Sequence, residues 1–175
     1  PAPLSKKALE RGGAKRVDVW HRMGDLGYFD EKGRLWFCGR KSHRVETNKG
    51  LLLPVPCEAI FNQHPDVFRT ALVGIGPQGA ERPVLIVEPR EGKRPTSDSA
   101  REAFVRELLA LGHQESGQVA AERIRDIQDV LFYPGTFPVD VRHNAKIQRK
   151  KLAVWAGQRL KRQGSPPSIP PSGGD

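Results

Sequence analysis

The chain has 175 residues, 37% of them apolar, and carries a formal net charge of +9. That supports one core of ordinary domain size with tails left over. With no 18-residue apolar run and no charged-then-apolar leader, neither a membrane span nor a secretory signal is expected, so a soluble, cytoplasmic protein is the default. The basic excess lies at the ends: Lys6 to Arg16 holds five basic residues against Glu10, and Arg142 to Arg162 holds eight and no acid. Trp155 alone lies among those basic residues, so aromatic residues are not interleaved with them as a stacking platform would need, and nucleic acid is not the expected partner. The first residue is Pro1 and the only methionine is Met23, which points to a piece of a longer polypeptide.

In chain order, residues 1–16 read as a loop or frayed end. "DLGYFD" and "RLWFCG" flank Glu31-Lys32-Gly33 and predict a β-hairpin. "HRVET" and "LLLPV" predict a second, shorter hairpin around Asn48-Lys49-Gly50. Pro56 suits the first turn of a helix running through Cys57, Ile60 and Phe61 to His64. "VFRTALVGIG" and "PVLIVEP" predict paired, well-buried strands. Asp98 or Ser99 is positioned to cap the helix "AREAFVRELLAL", ending at Gly112. A short helix around Val119 to Arg123 leads into the strand "DIQDVLFYP". The loop "GTFPVDVRHNA" precedes an amphipathic helix from Lys146 to Arg162, with Ile147, Val154, Trp155 and Leu160 among its apolar residues. The Pro-, Ser- and Gly-rich residues 163–175 predict a disordered tail. Strands alternate with helices, so the fold class is α+β.

Cys38 and Cys57 are too few for a zinc site and read as buried apolar positions; Cys57 with His64, at i and i+7, would supply only two metal ligands. Lys146 at a helix start would meet the helix's positive end, a conflict that an anionic ligand would remove.

"HRMGDLGYFDEKGRLWFCGRK", residues 21–41, resembles the adenylate-forming enzymes, the superfamily of acyl-CoA synthetases, peptide-synthetase adenylation domains and luciferases. Their usual pattern is Thr-Gly-Asp, then Gly-Tyr-x-Asp, a Gly, and Gly-Arg before a hinge. "AKIQRKKL" looks like the same family's Gly-Lys-Ile-x-Arg motif, with Lys146 in the lysine's place. The resemblance covers about residues 20–162. It implies that residues 1–41 end a large N-terminal adenylation domain and that 42–162 form a small C-terminal lid, with Ser42 as the hinge. It also implies an ATP- and Mg2+-dependent ligase. Asp25 would accept hydrogen bonds from the ribose hydroxyls, and Arg40 would hold the ribose and phosphate side. Lys146 would stabilise negative charge at the α-phosphate and the substrate carboxylate. The metal ligands and the acyl pocket would lie in the N-terminal part, so the fragment alone is expected to be inactive.

Departures from the family pattern narrow the reaction. After the hinge, CoA-forming members read Ile-Lys-x-x-Gly-x-Arg-Ile; here "RVETNKGLLLPVPCE" has Glu46 where a lysine is usual and no arginine after Gly50, which counts against CoA. Met23 replaces the Thr, and "HNA" at 143–145 replaces the small Ser/Thr-x-Gly. "WHRMGDLGYFDEKGRLWFCGRKSHRVET" and "FNQHPDVFRTALVGIG" are similar to one branch, the β-lactone synthetases of bacterial olefin biosynthesis. The resemblance implies adenylation of a long-chain 2-alkyl-3-hydroxy acid whose own hydroxyl displaces AMP, with other pathway enzymes as possible partners. The alternatives are a long-chain acyl-CoA synthetase and, in another class, a basic nucleic-acid- or partner-binding module.

Overall fold

The computed structural model describes residues 23–114, 123–141 and 146–164. The loop expected over 1–16 lies outside them, as do most of the short helix expected around Val119 to Arg123 and the tail beyond Gly164.

Strands β1 (Asp25–Phe29) and β2 (Leu35–Arg40) form the first expected antiparallel hairpin. Asp30 organises its turn. One carboxylate oxygen accepts from the Lys32 and Arg34 amides at 3.0 and 2.9 Å; the other accepts from the Arg34 guanidinium at 2.7 Å and the Trp36 indole N–H at 2.8 Å. These bonds, that of Trp36 foremost, hold the Asp30 carboxyl below its ordinary pKa. Gly33 closes the turn at φ +73°, which suits a residue without Cβ.

A 3-10 turn at Lys41–His43 leads to the second hairpin, β3 (Val45–Thr47) with β4 (Gly50–Leu52). Helix α1 spans Pro54–Phe61, beginning two residues before Pro56 and ending short of His64. Both prolines fit the first turn, where a missing N–H leaves no helical bond unmade.

The centre is a three-stranded sheet ordered β5 (Val67–Ile75), β6 (Arg82–Pro89), β7 (Asp129–Phe132). β5 and β6 pair antiparallel, Val73 opposite Val84, and β7 joins β6 in parallel, Leu131 opposite Ile86. Helix α2 (Asp98–Gln114) makes the crossover. Its first turn is bonded by Ser97, whose Oγ accepts from the Ala100 amide at 3.1 Å, rather than by Asp98 or Ser99.

The period-2 alternation of the strands sorts the core into two layers. Leu72, Leu85 and Val87 pack with Cys57, Phe61 and Ile60 of α1 and with Phe104 and Leu108 of α2. Ala71, Val73, Val84, Ile86 and Leu131 pack with Leu152 and Ala156 of helix α3 (Arg149–Gly164). Cys38 and Cys57 are both buried, as expected, and burial pushes the Cys57 thiol up to about 12.

Helix α3 departs from expectation at three points. It starts at Arg149 rather than Lys146, so Ile147 precedes it. It reaches Gly164, two residues into the expected tail. Its buried stripe is the i, i+4 pair Leu152 and Ala156, while Val154 is 62% exposed.

Candidate functional site

The register of the first hairpin sets Asp25 directly across from Arg40. Arg40 Nε lies 3.1 Å from Asp25 Oδ1 and its Nη1 donates to the Met23 carbonyl at 2.5 Å, while the Lys41 amide donates to the Gly24 carbonyl at 2.8 Å. The ladder thus ties the Met-Gly-Asp turn to the start of the joint. Asp25 is 33% exposed and Arg40 40% exposed, so a carboxylate and a guanidinium stand together within reach of solvent. A carboxylate can accept two hydroxyl donors and a guanidinium suits phosphate oxygens. The pair therefore fits the ribose side of a nucleotide.

Ser42 lies in the 3-10 turn, between Arg40 and Arg44 in extended conformation. Beside it, His43 has its pKa lowered first by burial, then by the positive charges of Arg149, Arg40 and Lys150. One imidazole thus senses the hairpin's arginine and the start of α3 together.

Lys146 is exposed and belongs to a two-residue strand, β9 (Lys146–Ile147), paired antiparallel with β8 (Val139–Asp140). Its expected place at a helix N-terminus is therefore corrected. The Gln148 amide donates to the Pro138 carbonyl at 2.8 Å and Gln148 Nε2 to the Val139 carbonyl at 3.1 Å, which keeps the chain in the ladder. The Gln148 carbonyl then accepts the first helical bonds, from Lys151 and Leu152. The dipole conflict inferred for Lys146 falls away with that placement.

Glu46, where the CoA-forming pattern has lysine, forms an ion pair with Arg44; its amide donates to the Glu81 carboxylate at 2.7 Å and its carbonyl accepts from the Glu81 amide at 2.8 Å. Two buried carboxylates carry no signal in the sequence. Glu58 receives both Nη groups of Arg149, and Glu88 receives Arg69 and the Phe137 amide. Their partners are 91 and 49 residues away in the chain for Arg149 and Phe137, and no local pattern encodes such pairs. Among the described residues no group of three or more His, Cys, Asp or Glu could hold a metal, and His64 faces Glu107 at 3.1 Å.

No family model matches the chain. Over 158 residues it is 48% identical to an olefin β-lactone synthetase of Xanthomonas campestris pv. campestris, covering 90% of this chain and 27% of that protein. Over 146 residues it is 50% identical to an olefin β-lactone synthetase of Stenotrophomonas maltophilia, covering 83% and 24%. The crystal structure of the anthranilate CoA ligase AuaEII in complex with anthranoyl-AMP superimposes with a TM-score of 0.63 at 22% identity, over 79% of this chain and 25% of that one. The chain is similar to a portion of the adenylate-forming enzymes. It spans about a quarter of the length of these adenylate-forming relatives, and solved structures of the family's fold hold ATP. The resemblance in the sequence is thereby borne out, and so is the similarity to the β-lactone synthetases.

Proposed function

We propose that residues 42–162 are the C-terminal lid, and the residues up to 41 the end of the N-terminal adenylation domain, of an ATP-dependent, AMP-forming ligase. It adenylates a long-chain 2-alkyl-3-hydroxy acid and closes it to a β-lactone. The near-half identity to two β-lactone synthetases over most of the chain carries this reading. The Asp25–Arg40 pair and the exposed Lys146 support the roles assigned to them.

Asp25 binds the ribose hydroxyls, and Arg40 holds the Asp25 carboxylate in place while facing the phosphate side. The turn at Ser42 is the joint on which the lid moves between adenylation and the second step. Lys146 neutralises charge as the substrate carboxylate attacks the α-phosphorus and pyrophosphate leaves. In the second step the substrate's hydroxyl oxygen attacks its own activated carbonyl and AMP departs. Nucleophile and carbonyl are already joined, so no external thiol has to be bound. The engagement of Glu46 by Arg44 and Glu81 agrees with this, because that position offers no cation to a phosphorylated cofactor. Mg2+ would be held by the ATP phosphates and by residues outside the described ones.

The test joins this chain to its N-terminal part and supplies ATP, Mg2+ and a long 2-alkyl-3-hydroxy acid, with and without CoA, followed by mass spectrometry. A lactone formed equally well without CoA is expected. A thioester formed only with CoA would replace this reading by a long-chain acyl-CoA synthetase.

A further inference from the structure

Lys146 sits on the shortest ladder among the described residues, and two residue pairs of β8 and β9 are too few to hold a flexible side chain in place by themselves. What fixes that ladder lies on either side of it. On the β8 side, Phe137 is 2% exposed and its amide donates to Glu88 Oε2 at 2.8 Å, an oxygen that also accepts from Arg69 Nε at 2.7 Å. The next residue, Pro138, accepts the Gln148 amide. On the β9 side, Arg149 directs both Nη groups onto the Glu58 carboxylate, with Nη2 at 2.8 Å from Oε2. The same carboxylate accepts the Leu72 amide of β5 at 2.7 Å. Glu58 is 7% exposed and Glu88 is 6% exposed.

These contacts form a circuit from β6 through Glu88, Phe137, Pro138, Gln148, Arg149 and Glu58 back to β5. Burying two carboxylates is costly in free energy, and a surface ion pair would have held a helix end at less cost. Two forked or doubly accepting carboxylates, one at each root, instead restrict translation and rotation of the β8–β9 ladder between them. We infer that Glu58 and Glu88 are positioning residues for Lys146, acting through Arg149 and the Phe137 amide to clamp both roots of the β8–β9 ladder. This rests on Lys146 being the adenylating lysine of the proposed function. Burial raises the Glu58 carboxyl's pKa, against the opposing effects of Arg149 and the Leu72 amide, so the pair depends on each partner being present.

The experiment uses the full-length enzyme carrying Arg149→Lys, the combined Glu58→Gln/Arg149→Met change, or Glu88→Gln. The combined change keeps an acceptor for the Leu72 amide and fills the arginine's space, which protects folding. Two readouts are taken: ATP–pyrophosphate exchange, and hydrogen exchange of peptides spanning 137–150. Misplacing a charge by about 1 Å is expected to lower kcat roughly 10²-fold, with KM for ATP changed by less than about twofold. Exchange should rise in 137–150 and stay unchanged in β5 and β6. In a Lys146→Ala background the same changes should cause no further loss. Losses that multiply in that background, unchanged exchange over 137–150, or full rate in the combined variant would each overturn the inference while leaving Lys146 its role. A Lys146→Ala enzyme that keeps its rate would remove that role and the inference with it.

Discussion

The buried face of α3 can be tested with two substitutions two residues apart. Leu152 is fully buried against Ala71, Val73 and Ile86, whereas Val154 is 62% exposed. Truncating a buried leucine to alanine costs about 2–5 kcal/mol, while a surface change of this kind stays within about 0.5 kcal/mol. For a domain whose whole stability is about 5–15 kcal/mol, the first loss is severe and the second barely measurable. With a urea m-value of about 2 kcal/mol/M, Leu152→Ala should move the denaturation midpoint down by roughly 1–2.5 M and Val154→Ala by less than about 0.3 M. Circular dichroism of the 175-residue chain through a urea titration reads both. A larger loss from Val154→Ala than from Leu152→Ala would mean that α3 is rotated from the orientation described, and the clamp at Arg149 would lose its geometric basis.

Two further outcomes follow from single residues. The unfolded Cys57 thiol ionises near the ordinary thiol value of 9.0, while burial holds the folded one up to about 12. The folded state therefore keeps a proton that the unfolded state loses, and stability falls by about 1.4 kcal/mol per pH unit above pH 9. Urea midpoints at pH 8 and pH 10 should show that decline in the native chain and lack it in Cys57→Val; equal declines would refute it. At Gly39, φ is +106° and a Cβ would come 3.2 Å from Val55 Cγ2. Gly39→Ala should cost about 1–3 kcal/mol and loosen the joint beside Arg40, read as a lower melting temperature together with weaker ATP binding by the full-length enzyme.

The parts legible in the sequence were those with a strong local signature. Glu31-Lys32-Gly33 between two apolar runs gave the first hairpin, and "VFRTALVGIG" with "PVLIVEP" gave the central strand pair. The motif around Asp25 and Arg40 brought together two residues that the ladder does place side by side. What stayed hidden was set by distance or by brevity. A two-residue strand has no detectable period, so the sequence pattern places Lys146 in the helix that begins three residues later. Basic residues surround α3's apolar ones, and Val154 is as apolar as its neighbours, so only packing against Ala71 and Val73 reveals which stripe is buried. The carboxylates Glu58 and Glu88 look like ordinary surface charges until Arg149 and Phe137 arrive from far along the chain.

The parallel entry of β7 also sets an order of assembly. β5 and β6 are joined by the short stretch 76–81 and can pair locally, but β7 must cross back through α2 before Leu131 reaches Ile86. Closing that long loop is the slow step in such a topology. Helix α3 needs Leu131 as well as Ala71 and Val84 to complete its seat, and it is also the last of the described elements to leave the ribosome. A nascent chain stalled or cut before Arg149 would carry a finished sheet with one apolar face bare, a species prone to aggregation. Synthesis through α3 both covers that face and sets Lys146 in its place.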